Sequence, residues 1–132
     1  MFDRVIDAAR ATPAVVALYL FGSRSHGGDA PASDIDLAVL GDRPIPLAAL
    51  VDLQLRFREI VAPPVDLVDL RAVDAFLALD VIRGERIYCR DDLLADEFEL
   101  FVMRRAGDLE PFERERRRLL ATTAFARASS GS

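Results

Sequence analysis

Two short apolar runs, Val15-Val16-Ala17-Leu18-Tyr19-Leu20-Phe21 and Leu37-Ala38-Val39-Leu40, flank a stretch rich in Gly, Ser and Pro. Near-continuous apolar runs of this length read as strands buried on both faces, which commits the chain to a sheet with helices packed on each side. Between them, Ser23 to Ser33 has the composition of a loop, with room for a short helix just after Gly22-Ser23. The two ends of that loop carry the polar groups. Gly22-Ser23 closes the first run, and ten residues later Asp34-Ile35-Asp36 opens the second. Alternate residues of a strand share a face, so Asp34 and Asp36 present their carboxylates side by side. Like charges packed so closely are costly unless a cation lies between them. Divalent magnesium, held by carboxylates and by substrate phosphates, is the usual solution. Gly22-Ser23 adds a glycine backbone N–H and a hydroxyl at the mouth of the neighbouring strand, suited to phosphate oxygens.

The rest of the chain supplies the helices. Phe2, Val5, Ile6 and Ala9 have helical spacing, and the segment stops before Pro13. Leu47 to Val61 repeats the pattern and is closed by Pro63-Pro64. Val65 to Leu70 reads as a third strand, Val73 to Arg83 as a helix, and Arg86 to Cys89 as a short edge strand. Asp91 to Arg105 predicts an amphipathic helix capped by Asp91, with Leu94, Phe98, Phe101 and Val102 as its stripe. Leu109 to Leu120 continues helical but mostly charged, and Ala121 to Ser132 is expected to be disordered. Strands flanked by helices give an α/β fold with a sheet of about four strands. At 132 residues the chain holds one core.

Composition removes several kinds of chemistry. All seventeen basic residues are arginine, and without lysine neither a Walker-type phosphate loop nor a Schiff base is available. His26 is the only histidine, which excludes a multi-histidine zinc site. The net charge of −5 argues against broad, direct nucleic-acid binding. No apolar stretch is long enough for a membrane helix, and Met1-Phe2-Asp3-Arg4 lacks the regions of a signal peptide. A single cysteine, Cys89, permits no intrachain disulfide, as in cytoplasmic proteins. Carboxylate–metal chemistry is what remains. A nucleophilic hydroxyl would call for a third carboxylate, and Val65-Asp66-Leu67-Val68-Asp69 offers two. Period two puts Asp66 and Asp69 on opposite faces, so only one of them can join the pair.

Gly-Ser, ten residues, Asp-x-Asp resembles the signature of the DNA polymerase beta-like nucleotidyltransferase superfamily. The wording Leu20-Phe21-Gly22-Ser23-Arg24 and Ser33-Asp34-Ile35-Asp36-Leu37-Ala38-Val39 is similar to its minimal nucleotidyltransferase (MNT) branch. The likeness continues through Pro64 to Leu70 and Ile82 to Tyr88. It implies a nucleotidyltransferase fold, α/β (α+β) with a small mixed sheet. A minimal catalytic domain would span residues 1–107, and a charged helix with its tail residues 108–132. By the same resemblance Asp34, Asp36 and Asp66 are the Mg2+ ligands and catalytic residues. Gly22, Ser23 and Arg24 would bind the nucleotide, with ATP as the AMP donor. His26 departs from the family, whose members often carry arginine there. MNT proteins are paired with HEPN-domain toxins, so the resemblance implies a HEPN toxin partner that accepts AMP on a hydroxyl, a tyrosine in that family. A small-molecule nucleotidyltransferase of the aminoglycoside-modifying kind, and an antitoxin that masks the toxin without catalysis, are the alternatives.

Overall fold

The computed structural model describes residues 2–22 and 34–130, as backbone only beyond residue 122. In chain order the elements are α1 (Asp3–Arg10), β1 (Val15–Phe21), β2 (Ile35–Gly41), α2 (Leu47–Ile60), β3 (Val65–Asp69), α3 (Ala75–Ile82), β4 (Glu85–Cys89) and α4 (Asp92–Ser130). Four strands form one sheet in the order β3-β2-β1-β4. β1 is antiparallel to both neighbours, β2 and β3 are parallel, and the sheet is therefore mixed.

β1 is buried at every position and β2 nearly so, as their apolar runs require, because helices cover both faces. On one face Leu18, Leu37, Val39 and Leu67 pack with Val5 of α1 and with Leu53 and Phe57 of α2. On the other Ala17, Tyr19, Ala38 and Leu40 pack with Ala78 and Val81 of α3 and with Ala95 and Val102 of α4. β3 is an outer strand whose backbone is plugged by α2. Arg58 Nε donates to the Val65 carbonyl at 2.8 Å, and the Leu67 N–H donates to Gln54 Oε1 at 2.8 Å. Such bonds remove free edge groups that would otherwise template pairing with another chain.

The helix ends follow local chemistry. The Asp74 carboxylate caps α3 by accepting from the Phe76 and Leu77 N–H groups, both at 2.9 Å. Asp91 caps α4 through the Leu94 N–H at 3.1 Å. The first half of α4 is tied to the sheet by a partly buried network. The Tyr19 hydroxyl donates to Glu99 Oε2 at 2.7 Å, and Arg86 of β4 bridges Glu99, Asp96 and Asp92. Burial, then the Glu99 bond, pushes the Tyr19 hydroxyl pKa well above its ordinary value.

α4 differs from the sequence expectation. It runs unbroken across residue 107 and through residues 121–130, which the sequence reading assigned to a disordered tail. Pro111 lacks the N–H that would bond the Gly107 carbonyl, and proline normally breaks a helix at such a point. Glu110–Arg114 spans it, and Glu113–Arg116, Glu113–Arg117 and Glu115–Arg118 follow it at helical spacing. Pairs at these spacings support a solvated helix. Among the described residues no helix is long and apolar enough to cross a membrane.

Candidate active site

Strand register brings the sequence-derived carboxylates together. Phe21, the last residue of β1, pairs with Asp36, and Asp36 pairs across the parallel ladder with Asp66. Neighbouring strands lie about 4.8 Å apart, so these two carboxylates start from adjacent backbone positions. Ala38 and Leu40 face α3 and α4. Counting back by twos puts Asp36, and Asp34 just before the strand, on that same face. Val68 packs against the same cluster, and Asp66, two residues earlier, shares its side. Asp34 and Asp66 are exposed and Asp36 is half-buried.

Asp36 carries the electrostatic signature of the cluster. Burial raises its pKa first, then repulsion from Asp66 and from Asp34. Gly22 closes over it with φ at +80°, a conformation that favours glycine. A Cβ there would lie 2.5 Å from Asp36 Oδ2, so any side chain at this position would displace the carboxylate. Glycine is required by both backbone and space.

Three carboxylates on one surface, with a glycine backbone beside them, match the hard oxygen donors that hold Mg2+ together with substrate phosphates. Among the described residues no group of three His, Cys, Asp or Glu converges closely enough to hold an ion in the present rotamers. The backbone already sets Asp36 and Asp66 at strand spacing, so side-chain rotation is the adjustment that convergence requires. The residue set fits the metal in chemistry and in backbone position. Ser23, Arg24 and His26 lie outside the described residues.

Asp69 is absent from this cluster. It is 4% exposed, faces the opposite side of β3 from Asp66, and accepts from the Ile45 N–H at 2.9 Å and the Arg71 N–H at 3.0 Å. Both oxygens are engaged in holding the segment that leads into α2 and the turn after β3. The sequence reading treated Asp69 as an ordinary strand-end residue in case Asp66 joined the pair. Its structural work was missed, and its one visible signal was an acidic residue within an apolar strand.

The fold is that of a nucleotidyltransferase. The chain belongs to the polymerase beta nucleotidyltransferase family, whose profile matches residues 3–93. Within it, the chain is similar to the protein adenylyltransferase MntA of Shewanella oneidensis, 31% identical over 111 residues that cover 82% of this chain and 76% of that protein. Solved structures agree. A toxin–antitoxin MntA–HpeT mutant superposes with a TM-score of 0.76 at 25% identity, covering 94% of this chain and 98% of that one. A toxin–antitoxin complex with AMP-PNP gives 0.73 at 25% identity, over 94% and 99%. A tri-AMPylated Shewanella oneidensis HEPN toxin in complex with MNT antitoxin, 24% identical with a TM-score of 0.64 over 92% of this chain and 91% of that one, shares the fold.

Proposed function

We propose that this chain is a Mg2+-dependent protein adenylyltransferase, which transfers AMP from ATP to a hydroxyl of a partner HEPN-domain toxin and so acts as its antitoxin in the cytoplasm. The observation that carries the reading is the parallel register of Asp36 with Asp66, with Asp34 on the same face and Gly22 at the adjoining strand end. The similarity to an MntA adenylyltransferase and to a toxin–antitoxin complex with AMP-PNP supports it.

In the reaction, the acceptor oxygen attacks the α-phosphorus of ATP in line with the bond to the β-phosphate. The new O–P bond forms, pyrophosphate leaves, and the hydroxyl proton is lost. Asp34, Asp36 and Asp66 are the residues that would hold Mg2+, which when bound supplies positive charge opposite the developing negative charge on phosphate. Asp66 is exposed, and its carboxylate has no hydrogen bond among the described residues. It orients the acceptor hydroxyl and draws off its proton. Gly22, Ser23 and Arg24 receive the departing phosphates, the glycine because only a bare backbone fits beside Asp36. Acceleration comes mainly from positioning and from fixed charge, as in phosphoryl transfer generally.

The test is intact-mass analysis of the protein encoded beside this chain after incubation with ATP and Mg2+. One or more AMP units should be added, and none when Asp34→Ala and Asp36→Ala are combined. Complex formation without any mass gain would replace transfer with masking.

A further inference from the structure

We infer that Gln54 and Arg58 of α2 are positioning residues for Asp66. They clasp the β3 backbone on either side of it and so set the direction in which its carboxylate leaves the strand. This deepens the proposed function and rests on it for what Asp66 does in the reaction.

The clasp follows from the way the backbone groups of β3 point. The Pro64 carbonyl accepts from the Ile35 N–H at 3.0 Å and therefore faces β2. Backbone groups alternate in direction from residue to residue along a strand. Those of Asp66 thus face β2 as well, in register with Asp36, and those of Val65 and Leu67 face outward. The outward groups are the ones that α2 takes. Arg58 Nε donates to the Val65 carbonyl at 2.8 Å, and the Leu67 N–H donates to Gln54 Oε1 at 2.8 Å. Each planar peptide unit beside the Asp66 Cα is held from both sides, by β2 and by α2. Its Cα–Cβ direction has little freedom left.

Helix and strand are matched in spacing. Gln54 and Arg58 are four residues apart on α2, a rise of about 6 Å. Val65 and Leu67 are two residues apart on β3, roughly 6.6 Å. The later helix residue meets the earlier strand residue, so α2 runs antiparallel to β3 along this stretch. Leu53 and Phe57, each one residue before a clasp residue, are buried in the same cluster as Val65 and Leu67 and hold the helix down.

The need for a clasp is local to this strand. Asp36 sits between two strands, paired with Phe21 on one side and with Asp66 on the other. β3 is the last strand of the sheet, so Asp66 has a strand on one side only. Its carboxylate has to swing toward Asp36 and Asp34, against their charge, to share a cation with them. Rotation about χ1 achieves this only from a fixed Cα, and a productive site tolerates drift of about 0.5 Å. α2 supplies on the outer side what β2 supplies on the inner one.

The test compares the full chain with Gln54→Leu, Arg58→Met and their combination, and takes Asp69→Ala as the control that loosens β3 at its other end. Intact mass of the protein encoded beside this chain reads AMP transfer per folded molecule, at saturating and at limiting ATP. Calorimetric titration of the free chain with Mn2+ in the presence of AMP-PNP reads the metal site without turnover. The combined variant should lose roughly 10- to 100-fold in kcat, with KM for ATP close to that of the wild type. Its Mn2+ affinity should fall about tenfold. Each single variant should show a smaller loss of the same kind. Gln54→Glu keeps the acceptor and Arg58→Lys keeps a donor, so both should retain most of the rate and of the Mn2+ affinity. Asp69→Ala should lower the melting temperature and leave both quantities near wild type. Wild-type kcat and Mn2+ affinity in the folded clasp variants would overturn the clasp while leaving the transfer reaction standing. Equal losses in folded Asp69→Ala would also overturn it, because the effect would then be general loosening of the strand. Weakened Mn2+ binding in the clasp variants, together with no AMP gain in the wild-type mixture, would sustain the clasp and sink the reaction. A wild type that neither binds Mn2+ nor transfers AMP would overturn both.

Discussion

Asp66 and Asp69 stand three residues apart on β3 in opposite surroundings. Asp69 is buried, with both carboxylate oxygens receiving backbone N–H groups from Ile45 and Arg71. Asp66 is exposed, its carboxylate has no hydrogen bond among the described residues, and it faces a like charge on Asp36. A carboxylate that the fold satisfies is structural, because the backbone donors around it have no other acceptor. One that the fold leaves beside its own kind carries an electrostatic cost that a cation or a proton relieves. Under the proposed function, one strand separates stability from chemistry by the face and end on which each side chain falls.

The sharpest way to break this contrast is at the catalytic end. Combining Asp34→Ala with Asp36→Ala should lower AMP transfer by roughly a thousandfold or more, with the melting temperature unchanged or higher, as read by intact mass and thermal unfolding. A fall in activity that merely followed unfolding would count against the site. At the other end, Asp69→Ala should cost about 3 kcal/mol, because two buried backbone donors lose their acceptor. Urea unfolding measures this, while transfer per folded molecule should remain near that of the wild type. Gly22→Ala lies between the two cases. It should cost roughly 1–2 kcal/mol for the left-handed backbone, and it should also weaken AMP-PNP binding, since the new methyl group displaces the Asp36 carboxylate.

The smallest effect is the most diagnostic of charge. Asp36 has its pKa raised by burial, Asp66 and Asp34. Ionising it in the metal-free protein therefore opposes folding, and stability falls as pH rises through its elevated pKa. Asp36→Asn should raise the melting temperature by a few degrees (about 3 °C) at pH 7. That advantage should fade below about pH 4, where both states of the wild-type carboxyl are protonated. Mg2+ should stabilise the wild type and have little effect on this variant.

Much of this arrangement was legible in the sequence, for reasons that differ by element. The first two strands were visible because burial on both faces leaves continuous apolar runs, and α2 because Pro63-Pro64 ends it at the expected place. Period two showed that Asp66 and Asp69 could not share a site, but not which of them faced Asp36. That depended on the parallel register of β2 with β3, which no local pattern encodes. The Tyr19–Glu99 bond joins residues 80 positions apart and has no sequence signal. The full length of α4 was hidden for another reason, because the small-residue tail from Ala121 read as disordered, whereas the helix continues beyond the ion pairs around Pro111.

The most direct test of the central claim is transfer of AMP to the neighbouring protein by wild type, Asp66→Ala and Asp69→Ala, each corrected for its folded fraction and read by intact mass. The account predicts that Asp66→Ala transfers nothing measurable while Asp69→Ala transfers AMP at close to the wild-type rate. Undiminished transfer by Asp66→Ala, or its loss in folded Asp69→Ala, would contradict the assignment of chemistry to one end of β3 and structure to the other.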